Sequence, residues 1–571
     1  MMNNRTIKKS NLGLIWLLWL LTMILFIFSS CSEDILDQQP LSDISDENVF
    51  NDDVLLEAYV NDVYNILRFY QFGAFFTDGS TDDAVNLDPD GNNFTRYNRG
   101  ETTPDNGEGF TRDAWSENYA QIRKANLYFS RIENSTASPE VVDRLSAEMR
   151  FLRAWGYFDL ISFYGDVPLI TEVIELGSES FDRSRTPYNE IVDFIVSELD
   201  LAIPNLPIEG FDSNTGRATR GAAMGLKARV LLYAASELHN PSGDVPKWQA
   251  AANAAKEVID LPEYTIDPDY SNLYNAQRSR EVIMARGYTQ ENPQFVLFGW
   301  FFNVDRYFLP PNYFGDVDTR FFTPLQSLVD AYETLDGSPV DPQNPYANRD
   351  PRLDMTLIHH NSVIQVNGMN TNIEYHIDSD DPSNSELAGL ASVANGGTVS
   401  HYNVLKQTDI SKAPLNLFGA TAQVLTPWIY MRKAEFYLNY AEAQIELGNF
   451  GEARNAINTV RARGNVNMPP VTESGDALRQ RYRNERRVEL AFENHRWYDI
   501  IRWQIGNQVL TQPAMGVTIT RDTSTNPVRD TYSYDDRIID DLRIWDPKMN
   551  FLPIPRSEIE ASPSLGQNPG Y

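Results

Sequence analysis

The fold is decided by one stretch of the chain, residues 150–170, which reads RFLRAWGYFDLISFYGDVPLI. It begins inside a longer segment, residues 141–164, whose apolar residues recur at the three-and-four spacing of a helix with one buried stripe. Gly165 then ends the pattern. Arg153 and Asp159 stand within the apolar positions, and charges in that setting are typical of buried ion pairs. The stretch therefore predicts a buried helix that is joined to its neighbours by ionic contacts.

Several other segments have the same helical spacing, so the chain is predicted to be mostly α. The clearest helical hairpin spans residues 428–463, where alanines stand at the crossing points and Phe450 follows a Gly-Asn turn. This hairpin resembles a tetratricopeptide repeat, whose two helices must stack on neighbours to bury their faces. We predict four imperfect repeats of this kind. The other helical segments are residues 50–69, 115–132, 188–203, 219–238 and 248–261.

The segment between residues 262 and 426 has a different character. It is rich in Gly, Pro, Asn, Asp and aromatic residues and shows little long periodicity. Long irregular loops in a compact domain are usually functional or disordered, and aromatic-rich loops are poor candidates for disorder. We therefore predict a helical scaffold mainly at residues 41–261 and 427–510, with a loop-rich ligand-binding region at about 262–426.

Composition and charge restrict the partners of the chain. The 571 residues include 42% apolar residues, which is enough for a large core, and 48 basic against 79 acidic residues give a net charge of −31. This charge has the wrong sign for attracting nucleic acid or anionic lipid. Any attachment to a membrane must therefore come from a lipid or an apolar segment.

The N-terminus supplies both of these. Three basic residues precede an apolar stretch at residues 12–28, and two serines and Cys31 follow it. Residues 28–31 resemble the bacterial lipobox, whose cysteine is diacylated and becomes the mature N-terminus, although Phe28 replaces the usual leucine. Because Cys31 is the only cysteine in the chain, we predict a signal peptide at 1–30, a lipid-anchored tether at 31–40 and one domain at 41–571. The alternative is a buried cysteine beside an uncleaved anchor.

Residues 150–170 are similar to the signature segment of the SusD/RagB family of outer-membrane lipoproteins. Five more segments are similar to family segments in the same order, and they are residues 216–230, 348–353, 432–443, 485–503 and 552–571. Charged residues in these segments are predicted to form paired, partly buried ion networks between helices. Those residues are Arg153, Asp159, Arg349, Asp350, Arg486, Arg487 and Glu493.

The resemblance implies a SusD-like fold, with tetratricopeptide-like helix pairs as scaffold and a loop-rich face that holds oligosaccharide. It also implies a surface-exposed, lipid-anchored protein of the outer membrane that delivers oligosaccharide or polysaccharide to a SusC-like TonB-dependent transporter. The alternative ligand is a peptide or glycoprotein fragment for the same type of transporter. Two other classes stay open, a surface enzyme and a structural lid without ligand affinity.

No sequence motif indicates catalysis. The six histidines include no H-E-x-x-H, no G-x-S-x-G is present, and close pairs among 79 carboxylates arise by chance. We predict a protein that is not an enzyme and has no resident cofactor. Residues 86–92 have the oxygen spacing and turn glycine of a calcium loop, but Tyr97 takes the place of the final bidentate glutamate. A calcium site and an Asx-rich turn both stay open here.

Glycan binding without catalysis requires exposed aromatic planes and hydrogen-bonding side chains. The densest aromatic cluster spans residues 298–314, and a second one follows the first helix at residues 70–76. In an alternating run about half of the rings point inward. We predict that Trp300, Tyr307 and Tyr313 stack on sugar and that Asp82 and Arg306 contact its hydroxyls. Two or three stacked rings at about 0.5–1.5 kcal/mol each give weak, micromolar to millimolar binding.

Overall fold

A computed structural model gives the structure of the chain. The described residues are 46–67, 77–86, 93–107, 111–174, 182–208, 216–275, 279–287, 296–297, 300–301, 322–366, 369–379, 385–386, 399–408 and 426–571. The predicted signal peptide, Cys31 and the tether lie outside them. Within the described part of the chain, no helix combines the length and the apolar character that crossing a membrane requires.

Helices dominate the described residues. The α-helices are α1 Asp46–Asn51, α2 Asp53–Ile66, α3 Asn93–Asn98, α4 Thr111–Ile132, α5 Pro139–Tyr164, α6 Tyr188–Ala202, α7 Arg220–Ala235, α8 Val245–Ile259, α9 Asn272–Asn275, α10 Gln326–Ala331, α11 Arg352–Thr356, α12 Lys433–Glu446, α13 Phe450–Arg461, α14 Gly475–Glu489, α15 Arg496–Arg502, α16 Gly506–Val509 and α17 Arg556–Ala561. Short 3₁₀ helices lie at Ile203–Asn205, Pro547–Asn550 and Pro563–Leu565.

The strands are short and form small sheets. They are β1 Ala84–Val85, β2 Val282–Arg286, β3 Val296–Leu297, β4 Trp300–Phe301, β5 Thr323–Pro324, β6 Leu357–Ile358, β7 Ser362–Val366, β8 Met369–Ile373, β9 His376–Asp378, β10 Ser385–Glu386, β11 Asn403–Val404, β12 Trp428–Arg432, β13 Ala514–Met515, β14 Thr518–Asp522, β15 Arg529–Ser533 and β16 Ile538–Asp540. The largest sheet among the described residues has the order β10-β9-β14-β15, in which β9 and β14 are parallel. Its other two pairings are antiparallel.

Successive helices pack against each other in one array. The order of neighbours is α4, α5, α6, α7, α8, α12 and α13, with α14 packed on both α12 and α13. The chain leaves the array after α8 and returns at α12, which packs directly on α8. Between residues 262 and 426, each described element has at most six residues. The irregular segment is therefore inserted between two neighbouring helices, and its role in ligand binding stays a prediction.

Helix α5 is the helix that the sequence predicts at residues 141–164, and it contains most of the stretch 150–170. It begins at Pro139, which fits the first turn because its missing N–H needs no partner there. It ends where Gly165 adopts a φ of +70° and donates its N–H to the carbonyl of Ile161 at 3.1 Å. The sequence predicts one buried stripe, but every residue from Phe151 to Ile161 is buried. More than one face of the helix is therefore buried, because α2, α4, α6 and α7 all contact it.

The first five residues of the predicted hairpin at 428–463 are a strand instead of a helix. β12 pairs antiparallel with β2, with Trp428 opposite Arg286 and Arg432 opposite Val282. All five residues of β12 are buried. The physical reason is that a distant strand supplies the backbone hydrogen bonds, and such tertiary pairing overrides helix propensity. The two helices of the hairpin, α12 and α13, are confirmed from Lys433 onward.

The predicted ion pairs between helices are present. Arg153 contacts Glu198 at 2.6 Å, and Arg486 contacts Asp499 at 2.7 Å. Arg349 differs, because its buried guanidinium donates to carbonyl oxygens, at 2.7 Å to Pro345 and at 2.5 Å to Val329. We call the largest group of ion pairs the Arg432 network. All of its residues are buried except Glu333, which lies at its edge. Its members are Glu281, Glu333, Asp350, Arg352, Lys406, Arg432, Arg461, Arg463, Glu485, Glu489 and Glu493.

Helix α7 crosses its neighbours closely at Gly225. A Cβ there would lie 2.8 Å from Cζ of Phe436 and 3.0 Å from Sδ of Met431. We expect Gly225→Ala to lower the free energy of unfolding by about 1–3 kcal/mol because the packed neighbours must move. The matched control is Gly451→Ala in α13, where no atom lies within 4 Å. This control is expected to gain about 0.5–1 kcal/mol from helix propensity. Urea unfolding measures both changes. Equal changes in stability for the two variants would contradict the close crossing at Gly225.

Candidate functional site

Most of the predicted sugar-stacking cluster lies outside the described residues. The structure gives the backbone of Trp300, which stands in β4 opposite Leu297 of β3. Arg306, Tyr307 and Tyr313 are outside the described residues, and so is the side chain of Trp300. The prediction that these four residues contact ligand therefore stays a prediction.

Asp82 has a different environment from the one that the sequence suggests. Its carboxylate is buried and accepts two hydrogen bonds from Arg496, each at 2.8 Å, while Arg487 lies 3.2 Å away. Burial alone would raise the pKa of Asp82, but Arg487 and Arg496 outweigh it and hold the pKa well below its usual range. Both oxygens thus already have partners inside the protein. The carboxylate joins residues near β1 to α14 and α15 and is not free to accept from sugar hydroxyls.

A polar pocket lies where the end of α2 meets the start of α7 and the β2–β12 pair. It has a volume of about 250 Å³. We call it the Tyr64–Tyr430 pocket, and its lining residues are Asn61, Tyr64, Asn65, Leu67, Gly216, Arg217, Arg286, Gly287 and Tyr430. The lining combines two rings with amide and guanidinium donors, and no carboxylate is among the described residues that line it. Such groups can bind the faces and hydroxyls of a sugar.

Local sequence explains why this polar surface exists. Asn61 and Asn65 are four residues apart, so they lie on the same face of α2, and both are exposed. The opposite face of α2 is buried in the main core through Leu56, Val60 and Val63. On the other side of the pocket, the β2–β12 pairing brings Arg286 beside the strand that carries Tyr430. The pocket is thus built from elements that the core holds in place.

Ion pairs fix the position of Arg217 in the pocket. The guanidinium contacts Glu148 at 2.7 Å and Glu57 at 2.8 Å, and its Cζ lies 5.3 Å from the centroid of the Tyr64 ring. The Tyr64 hydroxyl donates to Glu148 at 2.9 Å and accepts from the N–H of Ala218 at 2.8 Å. Burial and the nearby Glu148 carboxylate raise the pKa of Tyr64 well above its usual value. The neutral Tyr64 ring is therefore held rigidly at the pocket wall.

Three segments outside the described residues join the chain at this pocket. Leu67 is followed by residues 68–76, Gly216 is preceded by residues 209–215, and Gly287 is followed by residues 288–295. The first of these contains the aromatic cluster at 70–76, and the last leads toward the cluster at 298–314. The aromatic cluster at 70–76 therefore begins three residues after Leu67, which lines the pocket.

Sequence reasoning missed the residues that line the pocket. Asn61 and Asn65 could have been found as an exposed polar pair at helical spacing. Arg217 lies in a segment that the sequence assigned to the fold rather than to the ligand. Arg286 and Tyr430 are far apart in the chain, and no local pattern places them together.

The described residues cover only part of the candidate metal sites. No group of three His, Cys, Asp or Glu side chains among them is arranged to hold an ion. Of the calcium-like loop at 86–92, only Asn86 belongs to the described residues. Tyr97 is buried, and its hydroxyl donates to the carbonyl of Met549 at 3.0 Å. Helix α3 follows the loop.

Comparison with known proteins gives consistent matches over most of the chain. A family model described as SusD family matches residues 280–571, and one described as starch-binding associating with outer membrane matches residues 34–232. A SusD-like protein of Bacteroides ovatus is 25% identical over 494 residues, which cover 84% of this chain and 80% of that protein. SusD-like protein P2 of Formosa agariphila is 25% identical over 512 residues, which cover 85% of this chain and 90% of that protein.

Solved structures show the same similarity. A SusD-like protein from Bacteroides fragilis superposes with a TM-score of 0.76 at 29% identity, covering 94% of this chain and 100% of that one. A second protein from Bacteroides fragilis is described as a SusD-like carbohydrate binding protein. It has a TM-score of 0.72 at 26% identity, and the superposition covers 91% of this chain and 100% of that one. These matches confirm the predicted mostly α, SusD-like fold.

Proposed function

The chain belongs to the SusD family, and on that basis we propose that it is a surface lipoprotein that binds oligosaccharide or polysaccharide and delivers it to a SusC-like TonB-dependent transporter. One structural relative is described as a carbohydrate binding protein, and one family model is described as associated with the outer membrane. The proposed role is capture without catalysis, because that relative is described as a binding protein.

The Tyr64–Tyr430 pocket is the observation that carries the proposal. The Asn65 amide can donate to and accept from sugar hydroxyls, and Arg286 adds donors on the opposite wall. The Asn61 amide, whose Oδ1 accepts from Arg217, can donate to them. Tyr64 and Tyr430 line the pocket, but Tyr430 is buried and Arg217 lies over the Tyr64 ring, so the exposed rings that a sugar face requires would come from the aromatic clusters. The proposed stacking residues are Trp300, Tyr307 and Tyr313, and Arg306 is the proposed hydroxyl contact.

Attachment to the membrane is proposed through Cys31. Two or three acyl chains anchor a protein stably, since each buried CH₂ contributes about 0.8 kcal/mol. The tether at residues 31–40 would then hold the domain close to the outer membrane, within reach of a transporter in the same membrane. Replacement of Cys31 by serine is the direct test of this anchor, with the protein followed between membrane and soluble fractions.

The ligand is tested by affinity electrophoresis of the full chain in mild detergent against a panel of polysaccharides. We expect one polysaccharide to retard the protein, and we expect Asn65→Ala, Trp300→Ala and Tyr313→Ala each to weaken that binding about 2- to 12-fold, because each contact contributes about 0.5–1.5 kcal/mol. The control is Asn253→Ala on the exposed face of α8. It should leave the retardation unchanged.

Two outcomes would contradict the proposal. No retardation by any polysaccharide would favour a peptide ligand or a structural lid. Shortening of the retained polysaccharide during incubation would show a surface enzyme instead of a binding protein.

A further inference from the structure

A second polar pocket lies on the helical scaffold, between the loop after α7 and helices α8, α12 and α14. It has a volume of about 400 Å³, which falls in the range of about 300–1,000 Å³ that is usual for small-molecule sites. It shares no lining residue with the Tyr64–Tyr430 pocket. We call it the Arg483 pocket, and the lining residues that matter here are Glu237, Trp248, Glu446, Arg479, Arg483 and Trp503.

Most charges around this pocket have partners within the protein. Glu442, which also lines it, accepts from Arg502 at 2.5 Å and 2.6 Å. Arg479 contacts Glu446 at 2.7 Å. These pairs neutralise one another, so they contribute little net charge to the pocket.

Arg483 is the exception. Its guanidinium forms no ion pair and donates no hydrogen bond to any residue that the structure describes. Its Cζ lies 4.8 Å from the centroid of the Trp503 ring, so the indole holds the cation in place without neutralising it. Burial lowers the pKa of Arg483, and with Arg502 and Arg479 it outweighs the opposing effect of Glu442 and Glu446. Arg483 is thus a half-buried cation that has carboxylates nearby but no direct ion pair or hydrogen bond with any described residue.

The remaining lining restricts what kind of anion fits. Glu237 is exposed at the edge of the pocket, and Glu446 lies on its wall. These carboxylates can accept from hydroxyl groups but repel a second negative charge. A divalent anion such as phosphate is therefore disfavoured. A ligand with one carboxylate and several hydroxyls satisfies both the cation and the acceptors.

We propose that the Arg483 pocket binds a small hydroxylated carboxylate of the size of a uronic acid, with the carboxylate on the Arg483 guanidinium. The planar guanidinium matches a carboxylate through two parallel hydrogen bonds. The hydroxyls of the ligand donate to Glu446, whereas Glu237 at the pocket edge acts on the ligand carboxylate only through its charge. This site is separate from the proposed glycan site and does not depend on it.

The test is calorimetric titration of the full chain in mild detergent with glucuronate, with glucose as the neutral analogue. Glucuronate is expected to bind and glucose is not. Arg483→Gln is expected to weaken glucuronate binding at least about tenfold, since hydrogen bonds to charged groups are the stronger ones. Glu237→Gln is expected to strengthen it a few-fold, because it removes a repelling charge at an exposed position. Lys256→Gln, on the exposed face of α8, should change nothing.

The two pocket variants move binding in opposite directions, which a loss of folding cannot imitate. If Arg483→Gln lowers the unfolding midpoint, Glu237→Gln decides the question alone. The proposal is overturned if glucuronate does not bind, if phosphate binds as well as glucuronate, or if neither pocket variant changes its affinity. It is also overturned if Asn65→Ala abolishes glucuronate binding, because the ligand would then occupy the Tyr64–Tyr430 pocket.

Discussion

Replacing Arg432 with methionine is expected to lower the free energy of unfolding by about 3–5 kcal/mol. Arg432 contacts Glu489 at 2.7 Å and both Glu281 and Glu493 at 2.8 Å, and all four side chains are buried. Methionine fills a similar volume but leaves three buried carboxylates with one cation fewer. The cost of burying a charge without its partner is much larger than the net contribution of the intact pair. Urea unfolding at pH 7 measures the change.

An exposed ion pair provides the comparison for this variant. Arg183 contacts Glu172 at 2.9 Å, but the two side chains are 37% and 68% exposed. Arg183→Met is expected to change stability by less than about 1 kcal/mol. The double variant Arg432→Met with Glu493→Gln should recover part of the loss, because it also removes one uncompensated carboxylate. If Arg432→Met and Arg183→Met change the free energy of unfolding equally, the buried network contributes little to stability.

The helical scaffold was predictable because its signals are local. Helix α5 carries its start at Pro139 and its end at Gly165 within its own sequence. The ionic role of Arg153 and Arg486 was also predictable, since a charge within an apolar helical pattern requires a partner. Which carboxylate would be that partner was not, because Glu198 lies in a different helix from Arg153.

The candidate site was less predictable because it depends on contacts between distant segments. The sequence shows that Arg217 stands beside a helix start, but not that Glu57 and Glu148 hold it against Tyr64. Asp82 shows the opposite failure. Its position after an aromatic loop suggested a ligand contact, whereas Arg496, which is remote in sequence, takes up both of its oxygens.

The Arg432 network and the candidate site share one strand. β12 carries Tyr430, which lines the Tyr64–Tyr430 pocket, and Arg432, which lies in the network two residues later. Buried contacts from Arg432 to Glu489 and Glu493 fix this strand against the end of α14 and the residues that follow it. The network therefore positions one wall of the pocket. We expect loss of the network to weaken ligand binding as well as folding.

Acidification is expected to produce the largest change in stability, by protonating buried carboxylates. Although burial opposes it, Arg432 lowers the pKa of Glu493 to about 2, and Arg502 does the same for Glu442. Because these pKa values lie below that of an unfolded glutamate, about 4.5, the stabilisation is complete above pH 4.5 and is lost as the pH falls toward 2. Each of these two carboxylates contributes about 3 kcal/mol to the free energy of unfolding at pH 7.

Two buried aspartates act in the opposite sense at higher pH. Burial raises the pKa of Asp78 and of Asp83, so protonating them favours the folded state as the pH falls toward their ordinary value. The loss of stability should therefore be confined to pH values below about 4.5. Urea midpoints between pH 7 and pH 3 measure it, and 0.5 M salt should leave it largely unchanged because buried pairs are weakly screened. A midpoint at pH 3 equal to that at pH 7 would contradict the assignment of Glu442 and Glu493 as ionised, buried partners.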